Sequence, residues 1–210
     1  MSELMARTVA AMAMIALALV TVVLGGYFFA VLVAGAATMM YFEWSRLVRG
    51  WGVGWHVAGF LYALVPAIAV LWIREQPYLG LSMVVWVFII VWATDIGAYF
   101  AGRAIGGPKL APSISPNKTI AGLVGGIVSA GLAGWAWVDF SGVPSVFIWL
   151  APLLAFAAQA GDLFESWLKR RANAKDSGTW LPGHGGLLDR LDGLVVVAPL
   201  TAFVFAGLIR

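Results

Sequence analysis

The chain contains no cysteine. Disulfides, thiol nucleophiles and zinc–thiolate sites are therefore excluded, and the compartment is left open. Charge is scarce as well: Asp, Glu, Lys and Arg make up 11% of the 210 residues, against 62% hydrophobic residues. No polar stretch is long enough to form a separate soluble domain, and no internal repeat, low-complexity tract or linker interrupts the chain. What remains is the composition of an integral membrane protein. The net charge of +3 is small, so the placement of the basic residues says more than their number. In such a chain a basic balance reflects topology, and no nucleic-acid partner is expected.

Apolar runs cover approximately residues 8–24, 27–41, 55–73, 79–100, 120–138, 144–160 and 191–209. Each is near the roughly 20 residues that a bilayer core of about 30 Å demands of a helix. The expected fold is all-α and polytopic, with about seven transmembrane helices, within a range of six to eight because the second run is short and follows the first closely. The first run exceeds the roughly 7–15 apolar residues of a signal peptide, and no cleavage site follows it, so it is read as a retained helix. The whole chain, 1–210, reads as one membrane domain, with amino-terminal helices in 1–90 and catalytic helices and loops in 91–210.

Orientation follows from the basic residues. With a cytoplasmic amino terminus, every Lys and Arg except Arg74 and Arg210 falls on the cytoplasmic side. The two long polar loops, 101–119 and 166–190, then share that face. Between them, Gly122, Gly126, Ala130 and Gly134 recur every fourth residue. Such a stripe permits close approach of helix backbones, either within the chain or across a homodimer.

The polar residues concentrate in 161–192, GDLFESWLKRRANAKDSGTWLPGHGGLLDRLD. Asp162, Glu165, Ser166 and Lys169 follow helical spacing and share one face. Carboxylates at membrane depth are costly and mark candidate sites, although a helix end with a solvated salt-bridge face has the same spacing. Asp189 and Asp192 bracket Arg190 before the last apolar run, where one of them suits a helix cap. With Asp162 they form an acidic set suited to a hard divalent cation such as Mg²⁺. The Gly183–His184–Gly185–Gly186 segment offers unhindered backbone N–H groups and an imidazole. Beside Lys169, Arg170, Arg171 and Lys175 it resembles a polyphosphate cradle; the basic run also satisfies topology and anionic lipid headgroups. Upstream, Asp95 lies inside an apolar run, with Tyr99 and Arg103 on the same helical face. Ser115, Asn117 and Lys118 precede a helix start that suits either a phosphate or a simple cap.

Ser166, Leu168, Lys169, Arg170, Lys175, Asp176, His184, Gly185, Gly186, Asp189, Arg190 and Asp192 stand at the spacing of a known signature. Asp95-Ile96-Gly97-Ala98-Tyr99 and Ser115-Pro116-Asn117-Lys118-Thr119 match two further motifs. Over roughly 92–195 the chain resembles the bacterial phosphatidate cytidylyltransferase (CDP-diglyceride synthase) family. One departure is Ala121, where that family commonly has Glu. The resemblance implies transfer of CMP from CTP to phosphatidic acid, giving CDP-diacylglycerol and pyrophosphate, in the bacterial inner membrane with the site on the cytoplasmic side.

It also implies Mg²⁺ on Asp162 and Asp189, with room for a second metal. Lys169, Asp192 and Asp95 complete the catalytic set. Ser115, Asn117, Lys118, Ser166, Arg170, Lys175, His184, Gly185, Gly186 and Arg190 are implied to bind substrate among membrane lipids. A related CTP-dependent lipid enzyme, either a CDP-archaeol synthase or a polyprenol-type kinase, is the nearest alternative. A small transporter is the alternative of another class, disfavoured because the polar residues gather at one face.

Overall fold

A computed structural model describes residues 3–178 and 185–209, apart from the side chains of residues 3–11, 13 and 14. The described elements are α1 (Glu3–Leu24), α2 (Gly26–Leu47), α3 (Val53–Arg74), α4 (Gly80–Ile105), β1 (Lys109–Ala111), β2 (Ser115–Thr119), α5 (Ile120–Ser141), α6 (Val146–Arg171) and α7 (Leu188–Leu208). Six of these helices, α2 to α7, are long and apolar enough to cross a membrane, and α1 contributes the apolar segment Ile15–Leu24. The protein is an all-α, polytopic membrane protein. Its outer surface bears the sign of that solvent. Phe203, Trp149 and Val31 are exposed, which lipid tails tolerate and water would not.

The helices outlast their apolar runs at the polar ends. α4 continues to Ile105 and α6 to Arg171, so Arg103, Glu165 and Lys169 stand on rigid helix, not on loops. The loop expected before α5 contains an antiparallel two-stranded hairpin, β1 with β2. Thr119 ends it and caps α5, its hydroxyl accepting from the Gly122 N–H at 3.0 Å. This satisfies one of the orphan donors of a helix start. At the opposite end, Gly25 adopts φ +65 between α1 and α2. The Arg74 guanidinium lies over it and donates to the Val22 and Val23 carbonyls at 2.6 and 2.9 Å.

The most extensive helix pair is α4 with α5. The small-residue stripe of α5 lies in that contact: a Cβ at Gly126 would stand 2.8 Å from the Thr94 carbonyl oxygen, and one at Gly122 would stand 2.9 Å from that of Ala98. The stripe therefore serves packing within the chain. Lipid tails are as apolar as the side chains, so close van der Waals contact holds such pairs together more than burial from water does. Elsewhere Trp86, Phe147 and Phe205 pack edge to face at 5.1 and 6.1 Å in the core shared by α4, α6 and α7.

At the polar end, the Arg171 guanidinium lies 5.0, 5.5 and 5.4 Å from the rings of Trp51, Trp55 and Trp167. This cation–π cage ties the end of α6 to the start of α3. Contacts of β2 with α6, and an Arg170 Nε–H donating to the Ile114 carbonyl at 3.3 Å, bring the two polar loops to the same end of the bundle.

Gly126→Ala should lower the thermal unfolding temperature in detergent, since its methyl group meets backbone; about 1–3 kcal/mol is typical of overpacking. Gly131→Ala, where nothing lies within 4 Å, should leave it equal or higher through helix propensity. Equal behaviour of the two variants would contradict the packing role of the stripe.

Candidate functional site

Two linked groups of polar residues lie at this end of the bundle. The first surrounds a cavity of about 750 Å³ bounded by α4, β1, β2, α5 and α6. Its walls include Asp95, Tyr99, Arg103, Lys109, Asn117, Lys118, Gln159 and Asp162. Lys118 Nζ lies 2.5 Å from Asp162 Oδ2, an ion pair without hydrogen-bond alignment. Ser166 donates to the same carboxylate at 3.4 Å. Asp95 and Asp192 are both within electrostatic reach of Asp162 and Lys118. Four side chains from α4, β2, α6 and α7 thus converge. The cavity is of the size and mixed polarity of a small-molecule site.

The second group is built around Lys169, whose Nζ donates to Glu165 Oε1 at 3.0 Å and to Asp189 Oδ1 at 2.6 Å. Asp189 also accepts from the backbone N–H groups of Ser177 and Gly186, each at 2.9 Å, and from the Ser177 hydroxyl at 3.0 Å. Asp189 lies in the first turn of α7 and reaches back to the segment before it. Neither paired aspartate is the cap expected from the sequence, since the N-cap position is Leu187 and no side chain of the helix start caps it. The reach back to Gly186 occupies an N–H expected to meet a phosphate, because a carboxylate in the first turn of a helix sits beside unpaired donors.

Glu43, on α2, is the residue the sequence reading passed over. Its side chain is fully buried, and it accepts from the Leu187 and Leu188 N–H groups at 2.9 and 2.8 Å and from the Ser177 hydroxyl at 2.9 Å. A carboxylate of a distant helix thus completes the start of α7 and favours its positive end. Gly178 and Gly186 leave it room, since a Cβ on either would strike its carboxylate. The available signal was an acid just past the end of an apolar run, weaker than that of Asp95, which lies inside one. Lys109 of the cavity wall was also missed as a site residue.

The other expected residues divide as follows. Asn117 lines the cavity, whereas Ser115 begins β2 without lining it. Arg170 holds the hairpin loop. Lys175 and Arg190 are exposed, and Gly185 adopts φ +82 before α7. His184 lies outside the described residues. Asp162 and Asp189, expected to share a metal, are engaged by different lysines. Among the described residues no cluster of three or more metal-binding side chains is preassembled. The donor set nevertheless fits Mg²⁺, which keeps several waters and takes one or two carboxylates. Both carboxylates already draw a positive charge from a lysine.

The family model for cytidylyltransferases matches residues 49–208. This chain belongs to the cytidylyltransferase family. It is 47% identical over 173 residues to the phosphatidate cytidylyltransferase of Brucella suis biovar 1 (strain 1330), covering 80% of this chain and 62% of that one. To the phosphatidate cytidylyltransferase of Haemophilus influenzae it is 36% identical over 187 residues, 81% of this chain and 65% of the relative. To that of Rickettsia bellii it is 36% identical over 188 residues, 84% and 79% respectively. The chain thus spans 62% of the length of its Brucella relative. Both polar groups lie within the cytidylyltransferase match except Glu43, which precedes it.

Glu43→Ala should leave the Leu187 and Leu188 N–H groups and the Ser177 hydroxyl without an acceptor, at about 1–3 kcal/mol for each buried group. Amide exchange across residues 185–188 should rise, by mass spectrometry in detergent, with less change in Glu43→Gln. Unchanged exchange in the alanine variant would remove Glu43 as the anchor of this segment.

Proposed function

We propose that the protein transfers CMP from CTP to phosphatidic acid, releasing pyrophosphate and forming CDP-diacylglycerol. The observation that carries this reading is the cavity between membrane helices, whose walls bear acids and bases together: Asp95 and Asp162 beside Arg103, Lys109 and Lys118. Such a wall suits one reactant that is a polyphosphate and another that is a lipid phosphate. Family membership and the activity for which the similar proteins are named support the same reaction.

The acceptor phosphate is already anionic near neutral pH, so its oxygen attacks the α-phosphorus without a strong general base. The new O–P bond forms as the bond to the β-phosphate oxygen breaks, and pyrophosphate carries away the electron pair. The protein's task is to position two anions against each other and to neutralise their repulsion. Lys109, Arg103 and Lys118 draw the phosphates to the cavity. Lys118, freed from Asp162 when phosphate arrives, pairs with substrate oxygen. Lys169, Ser177 and the Gly186 N–H keep Asp189 oriented. Ser115, Asn117, Ser166, Arg170, Lys175, His184, Gly185, Gly186 and Arg190 complete the substrate-binding set, with Asp192 and Asp95 supporting Asp162.

Mg²⁺ would be held by Asp162 and Asp189 and would supply charge neutralisation to the polyphosphate; a second metal is part of the same proposal. The distribution of Lys and Arg supports a cytoplasmic position for this end of the bundle, and the bacterial relatives support the inner membrane.

Purified protein in mixed micelles should release pyrophosphate only with CTP, phosphatidic acid and Mg²⁺ together, with CDP-diacylglycerol as the lipid product. Formation of CDP would identify a lipid kinase and overturn the reading. In the same assay Asp189→Asn should abolish turnover while remaining folded by thermal unfolding. Full activity in that variant would remove the metal assignment. Lys118→Ala should lose at least about tenfold in kcat/KM, as truncating a charged contact costs about 1.5–3 kcal/mol; an unchanged rate would make the β-hairpin structural.

A further inference from the structure

The cavity is polar in layers. Along α4, Arg103 lies nearer the polar end of the bundle and Asp95 lies deeper. On α6, Asp162 stands opposite, and Gln159 lies one turn further in. Gln159 shares the face of Asp162 by its i, i+3 spacing, about 4.5 Å deeper along the helix axis. It is 5% exposed and lines the cavity, yet no described residue hydrogen-bonds its carboxamide. The cavity wall also includes the apolar residues Ala98 and Leu123. Unpaired with the described residues and facing the cavity, this neutral amide is open to a hydrogen bond from a bound ligand.

The lipid acceptor has the matching chemistry. If its phosphate meets Lys118 near Asp162, its acyl chains run inward past Gln159, and its ester carbonyls lie only a few bonds inward of the phosphate. An ester carbonyl accepts hydrogen bonds, whereas an ether oxygen is a much weaker acceptor. A carboxamide N–H donor at that level would distinguish ester-linked from ether-linked lipids.

We propose that Gln159 is a specificity-determining residue that donates a hydrogen bond to an ester carbonyl of a diacyl lipid phosphate bound in the cavity. The proposal rests on the lipid-phosphate reading of the site but not on the transfer reaction itself. A site built to hydrogen-bond a substrate group rejects an analogue that lacks it, because its own polar group is left unpaired.

The test is binding, by tryptophan fluorescence titration of the full chain in detergent micelles, with dioleoyl phosphatidic acid and its dialkyl ether counterpart as probes. Wild-type protein should bind the diacyl lipid about tenfold tighter than the diether, the span of one well-made hydrogen bond. Gln159→Leu should bind both at the diether level, with CTP binding unchanged. Retained discrimination in Gln159→Leu, or equal weakening toward both lipids, would overturn the assignment; so would failure of wild-type protein to bind either. If discrimination depends on Gln159 while pyrophosphate release fails, the transfer reaction falls and the lipid contact stands.

Discussion

Charge neutralisation between carboxylates and lysines from different elements is the constraint around which the polar end of this protein is arranged. Lys169 joins Glu165 to Asp189, and Lys118 joins Asp162 to the β-hairpin. Isolated ions at such depth would each cost several kcal/mol in lost solvation. Paired, they are tolerated, and they also bind elements together: the first contact joins α6 to α7, and the second joins β2 to α6. Removing one partner leaves the other charged and buried, so these contacts act as points of register for the helices that carry them.

Glu43 extends the same logic without a cation. Its partners are two N–H groups at the start of α7 and the Ser177 hydroxyl, all neutral donors at a positive helix end. Ser177 then donates to both Glu43 and Asp189 in alternative directions, since one hydroxyl hydrogen serves two acceptors. The chain from α2 to the first turn of α7 is therefore continuous. It fixes where Asp189 stands relative to α6, which matters for any reaction that depends on placing phosphate groups to within a fraction of an ångström.

The opposite requirement governs the cavity. There the acids and bases are incompletely matched, and Gln159 is left without a protein partner among the described residues. A fully satisfied network would be stable and inert. Groups held in place by packed helices but left short of partners are available to a ligand, and the close α4–α5 contact through glycine supplies the rigid frame. The proposed cytidylyl transfer uses both conditions: anchored residues behind, unsatisfied ones facing the substrates.

Much of this was legible in the sequence, because its signals are local. Apolar run length marked the seven helices, the basic residues marked the end of the bundle where both polar loops meet, and motif spacing marked the family. Helical periodicity placed Asp162, Ser166 and Lys169 on one face. Tertiary structure alone decided which partner each charge would take. Periodicity fixes a residue's angle about its own helix, but says nothing of the rotation and axial offset between helices, and those set the pairing of Lys118 with Asp162 and of Glu43 with α7. The same offset brought Gln159 to the inner wall of the cavity.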